Sequence, residues 1–97
     1  MGYQKKNKET PKVIQDCHNL ILWLIPKLDK FPRNRRFTLG ERLESGLLRV
    51  LELLVKANYS PVRERETLLR EANLQLDVLR HLWRLAHELR ITAIKEY

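Results

Sequence analysis

Three stretches of this chain repeat apolar residues at alternating intervals of three and four, a spacing that dictates helices. Leu43, Leu47, Val50, Leu54 and Ala57 fall on one line, with Arg42, Ser45, Arg49, Glu52 and Lys56 on the other side. Leu69, Ala72, Leu76, Leu79, Trp83 and Ala86 repeat the pattern. An earlier stripe runs through Val13, Cys17, Leu20, Leu24, Leu28 and Phe31. No stretch alternates with the strand period. Three Gly and four Pro in 97 residues also argue against a turn-rich β sandwich or barrel. The class is all-α, with room for one small domain.

Proline sets the boundaries. Thr10-Pro11 and Ser60-Pro61 read as helix starts, with a hydroxyl to cap and Pro at the first helical position. Pro26 is expected to kink the first helix rather than end it, and Phe31-Pro32 to stop it. Helices are therefore expected at about 11–30, 37–58 and 61–90, with the start of a fourth from Thr92. Residues 1–10 read as a flexible basic arm and 11–97 as the bundle domain. Leu48, Leu51, Leu53 and Val55 give the second helix more apolar surface than one neighbour covers. Val78, Leu82, Leu85 and Leu89 give the third helix a second stripe, as in a central helix or an oligomer interface. Gly40 and Gly46 each cost roughly 1 kcal/mol inside a helix, so another helix is expected to approach closely there.

Nineteen Lys plus Arg against twelve Asp plus Glu leave a charge of +7. Most of it has two sources. Lys5, Lys6, Lys8 and Lys12 outweigh Glu9 in the arm, and Lys27, Lys30, Arg33, Arg35 and Arg36 outweigh Asp29 around the first turn. The rest is nearly balanced, as on solvated helix faces. Five cations within ten residues suit a phosphate-binding patch. The plainer alternative is a connector whose cations compensate the first helix's C-terminal dipole. Arg80 and Arg84, four apart, form a polar stripe aimed at a partner, or simply pair with Asp77 and Glu88. Trp23 and Trp83 are read as packing residues rather than base-stacking platforms.

Site chemistry is sparse. His18, His81 and His87 share no face, and no Glu-x-x-His pair marks a di-iron bundle. There is no Gly-rich phosphate loop and no nucleophile elbow. The single Cys, Cys17, lies in an apolar stripe and reads as a buried, inert thiol. The expectation is a protein without catalytic residues, cofactor or metal. The longest apolar run, Leu20 to Ile25, is far short of the ~20 residues a membrane span needs. With no leader-like N-terminus, the chain reads as soluble and cytoplasmic.

The run Phe31-Pro32-Arg33-Asn34-Arg35-Arg36-Phe37-Thr38-Leu39-Gly40-Glu41-Arg42 resembles the FP-(R/K)-x-x-RF-x-LG-x-R signature of Avd proteins, the accessory variability determinants of diversity-generating retroelements. Leu69 to Leu74 and Leu79 to Ala86 are similar to the corresponding third-helix pattern. The resemblance covers about residues 11–97 and extends to the wider family of ribosomal-RNA intervening-sequence proteins. It implies an antiparallel up-down four-helix bundle that assembles into a barrel-like homopentamer. It implies binding to a reverse transcriptase and to RNA, possibly also DNA, in support of mutagenic retrohoming, without enzymatic activity. Arg80 and Arg84 become the leading candidates for partner or nucleic-acid contact, beside Lys27, Lys30, Arg33, Arg35 and Arg36. Family members carry a full fourth helix, whereas this sequence stops at Tyr97. An apolar groove on helices 1 and 3, or a neighbour filling it, is the expected consequence. Two other readings share the composition. One is a helical protein-interaction module whose charge serves solubility, and the other an intervening-sequence protein with a different RNA-linked role.

Overall fold

The computed structural model describes residues 10–91. Three long helices account for most of them: α1 (Lys12–Leu28), α2 (Glu41–Asn58) and α3 (Val62–Glu88). The described residues contain no strand. The fourth helix expected from Thr92 and the arm at residues 1–9 lie outside them.

Proline opens each helical run by a different device from the hydroxyl caps read in the sequence. Pro11, Pro32 and Pro61 all occupy the N-cap position in extended backbone, and no side chain caps any of the three starts. The prolyl carbonyls accept the first N–H groups instead, at 2.9–3.0 Å. The Ser60 hydroxyl points the other way and donates to the Lys56 carbonyl at 2.7 Å, closing the end of α2. α1 runs through Pro26, which lies in its last turn, where the missing donor costs one bond and does not end the helix.

The second helical run begins earlier than the spacing suggested. One α turn, Arg33–Arg35, leads into a π turn, Arg36–Gly40, and then into α2. The wider π turn loosens the backbone ladder. Thr38 compensates with a hydroxyl 3.3 Å from the Arg35 carbonyl. Gly40 is buried, and a Cβ there would lie 3.4 Å from both the Arg35 carbonyl oxygen and the Phe31 ring. The close neighbour at Gly40 is thus the Phe31 turn, not another helix.

α2 is the central element, packed against both α1 and α3. Leu43, Leu53 and Val50 are its fully buried side chains. Its contacts with α3 run antiparallel. Arg65 Nε donates to the Ala57 carbonyl at 3.1 Å, Arg49 pairs with Glu71 at 3.3 Å, and Gly46 faces Gln75 and Leu79. A Cβ at Gly46 would meet Leu79 Cδ2 at 2.5 Å, which is the close helix approach that the spacing called for. Ala72 and Ala86, both buried, keep α3 near its neighbours. Of the second α3 stripe, only Leu82 packs onto the core; Val78, Leu85 and Leu89 stay exposed.

α3 ends in a Schellman turn. The Ile91 N–H donates to the Ala86 carbonyl and the Arg90 N–H to the His87 carbonyl, both at 2.9 Å. Arg90 is left-handed, with φ 61°, at a position usually held by Gly. Ile91, packed against the core, fixes the direction in which the chain leaves α3.

Candidate functional site

Phe31 anchors the first cationic cluster. It is buried, stacks on Trp83 with ring centroids 6.3 Å apart, and meets Trp23 indirectly, because Trp83 also makes an edge contact with Trp23 at 5.7 Å. The turn after α1 is thus held to α3 by aromatic packing. Around this anchor the cations divide. Lys27 lies 4.6 Å above the Trp23 ring, a cation–π contact, in the last turn of α1 where its charge complements the helix dipole. Arg36 pairs with Asp29 at 3.0 Å and lies 5.8 Å from the centre of the exposed Phe37 ring. Lys30, Arg33 and Arg35 are exposed and form no ion pair among the described residues.

The placement of these arginines bears on the two explanations for the cluster. Lys27 and Lys30 are where cations stabilise the end of α1. Arg33 and Arg35 are not: with Arg36 they form the opening turns of the next helical run, where the backbone already presents its positive end, but Arg36 reaches back to Asp29 at the C-cap of α1. Cations there oppose the local dipole, so compensation of α1 does not explain Arg33 and Arg35. Exposed guanidinium forks are groups that pair well with phosphate oxygens.

The second cationic group is on α3. Arg80 pairs with Asp77 at 3.4 Å and Arg84 with Glu88 at 3.2 Å, the two local pairs that the spacing suggested. All four side chains are more than half exposed, so such pairs hold their partners weakly. The same two arginines also edge a groove of about 500 Å³ between α1 and α3, floored by α2. Its apolar lining comes from Leu20, Trp23 and Leu24 of α1, Leu43 and Leu47 of α2, and Leu76, Leu79 and Trp83 of α3. Trp23 therefore joins Lys27 to the surface that carries Arg80 and Arg84. Both tryptophans are packing residues and groove walls at once.

Two polar contacts were not legible from residue spacing. Arg65 staples the end of α2 through the Ala57 and Ser60 carbonyls, both at 3.1 Å. Arg49 lies between Glu52 and Glu71, whose hydrogen bonds, Glu52 first, push its guanidinium pKa further up. Each joins residues from two helices or a helix and a turn, and single-helix spacing carries no signal for that. Cys17 is buried, and desolvation raises its thiol above the ordinary range. No group of His, Cys, Asp and Glu among the described residues is arranged to hold a metal ion. No helix among them is long and apolar enough to cross a membrane.

A family model described as bAvd-like matches residues 12–97. No curated protein and no solved structure matches the chain significantly.

Proposed function

The chain belongs to the bAvd-like family, and from that membership we propose that it is a non-enzymatic accessory protein of a diversity-generating retroelement. It binds the reverse transcriptase and the template RNA and supports mutagenic retrohoming in the cytoplasm as a homo-oligomer. The observation that carries the nucleic-acid half of this reading is the position of Arg33, Arg35 and Arg36. They are exposed cations at the positive end of a helical run; Arg33 and Arg35 form no ion pair among the described residues, so an external anion gives them a favourable partner, while Arg36 is shared with Asp29. The protein half rests on Arg80 and Arg84, charged groups at the edge of a leucine-lined groove. The protein needs no cofactor and no metal for this work. It aligns a polymerase and its template by binding both.

The test is co-purification of the chain with the reverse transcriptase encoded near it and with the template RNA. The wild type retains both. The double variant Arg80→Ala/Arg84→Ala loses the polymerase while its thermal melting stays within about 0.5 kcal/mol of wild type, because both side chains are exposed. A chain that captures neither polymerase nor RNA at low salt is instead a helical interaction module whose charge serves solubility.

A further inference from the structure

Two phenylalanines flank Arg33, Arg35 and Arg36 and end in opposite environments. Phe31 is 6% exposed, buried against Trp83. Phe37 is 69% exposed, the most exposed aromatic side chain among the described residues. The π turn, Arg36–Gly40, sets Leu39 on the core, buries Gly40 and leaves the Phe37 ring outward. Packing within the fold therefore does not account for Phe37, which forgoes the gain of burial. Its surroundings point to a ligand. The Arg36 guanidinium lies over the ring, 5.8 Å from its centre, and is itself held by Asp29 at 3.0 Å. Lys30, Arg33 and Arg35, exposed and without ion pairs among the described residues, belong to the same turn. Surfaces that hold single-stranded nucleic acid combine these two elements: cations take the phosphates and a ring takes a base. The ring also walls a hollow of about 370 Å³ with an apolar floor of Leu28, Gly40 and Leu48. Glu41 and Glu44 line that hollow too, and their carboxylates repel a phosphate. The uncharged base is thus the part of a nucleotide that this side accepts.

We propose that Phe37 is a stacking platform for an unpaired nucleobase, and that the turn therefore takes single-stranded RNA in preference to a duplex. A duplex keeps its bases stacked on one another and offers the ring only sugar and phosphate. A single strand can splay a base onto it while its backbone reaches the neighbouring cations. The Asp29–Arg36 pair steadies the ring through the cation–π contact. This rests on the proposed RNA contact of the turn and adds which form of RNA is bound there and through which residue.

Fluorescence anisotropy with two labelled probes tests it: a single-stranded RNA of about 16 nucleotides and the same strand in a duplex. Phe37→Ala weakens binding of the single strand at least about fivefold, the lower end of one base–aromatic stack, and leaves duplex binding and the salt slope unchanged. Phe37→Tyr binds as wild type does. Phe37→Leu, apolar but without a π face, behaves as the alanine variant does. The position is exposed, so all three variants fold, which circular dichroism checks. Three results overturn the proposal and leave the proposed function standing while the wild type binds RNA: no change in Phe37→Ala, equal weakening of both probes, or full binding by Phe37→Leu. A wild type that binds neither probe at low salt overturns both. A wild type that sediments as an oligomer beside a monomeric Phe37→Ala assigns the ring to contact between copies of the chain, and also overturns the proposal.

Discussion

On the proposed reading, replacing Arg33 and Arg35 together by Ala removes two phosphate contacts and should change the salt dependence of RNA binding by a calculable amount. Lys30, Arg33 and Arg35 are exposed, without ion pairs among the described residues, while Arg36 is already engaged by Asp29 at 3.0 Å. The turn therefore supplies three unengaged cations. Each phosphate neutralised on a single strand contributes about −0.7 to the slope of log K against log salt. The turn alone gives a slope of about −2.1, and the double variant retains about −0.7 of it. Raising salt from about 50 to 200 mM then weakens the turn's share of binding roughly 18-fold in wild type but under threefold in the variant. Lysines in the arm steepen both slopes alike, so the difference, about 1.4, is the quantity that tests the turn. Fluorescence anisotropy with a labelled single-stranded RNA at four or five salt concentrations measures it. Neither side chain packs against the core, so the thermal midpoint should not move beyond the scatter of surface substitutions, about 0.5 kcal/mol. Parallel slopes for the two proteins would refute the assignment of these arginines to phosphate. A variant that melts early would show that they hold the turn instead.

Three further outcomes follow from the packing. Gly46→Val places a branched side chain where even a Cβ meets Leu79 Cδ2 at 2.5 Å and Gln75 Nε2 at 3.0 Å, and overpacking of this kind costs about 1–3 kcal/mol. Thermal denaturation should show a midpoint at least about 4 °C lower, whereas Gly46→Ala, with its gain of roughly 1 kcal/mol in helix propensity and a Leu79 free to swing into the groove, should stay near wild type. Arg90→Gly relieves the left-handed backbone at φ 61° and should stabilise the fold by about 0.5–1 kcal/mol, a rise of roughly 2–8 °C in the melting midpoint. The Cys17 thiol has a raised pKa, so the unfolded chain ionises first. Its contribution to stability is complete below the unfolded value of about 8.5 and is lost as pH rises through the higher folded value. Urea midpoints from about pH 7 to 10 should therefore fall more steeply for wild type than for Cys17→Ala.

The helical class and the α2 share of the core were legible because burial follows period there, whereas Val13, Leu20 and Leu69 on the corresponding lines of α1 and α3 are exposed. Leu43, Leu47, Val50, Leu54 and Ala57, one line in the sequence, are all buried, and Arg49, Glu52 and Lys56 across from them are exposed. Where the sequence misled, a local signal was competing with the backbone. Ser60 was a plausible cap for the helix after it, but its hydroxyl reached back to the helix before it. Arg33 to Arg36 looked like a connector because Pro and clustered charge are turn signals, and nothing in residue spacing marks a π turn. Arg90 carried no sign of left-handed geometry, because the Schellman turn is imposed by the Ile91 N–H reaching Ala86 rather than by a residue suited to it. Of the seven cations expected to form the site, the structure joins Lys27 to Arg80 and Arg84 through Trp23 and the groove, and ties Arg36 to Asp29. Arg33 and Arg35 are not among the residues that line that groove.

The signature that carries the family resemblance therefore separates into two kinds of residue. Phe31, buried against Trp83, and Gly40, where a Cβ would lie 3.4 Å from the Phe31 ring, fix the turn to the bundle. Arg33, Arg35 and Arg36 contribute nothing to that packing and are carried on the surface it creates. A chain that needed only to close a helix pair would gain from neutral or acidic residues at the start of the second helical run, since these complement the dipole. Cations there oppose it, on a turn held to α3 by the Phe31–Trp83 contact. On the proposed reading this arrangement suits anion recognition: the charges of Arg33 and Arg35 are positioned before the ligand arrives, and their repulsion with the helix dipole is relieved when it binds.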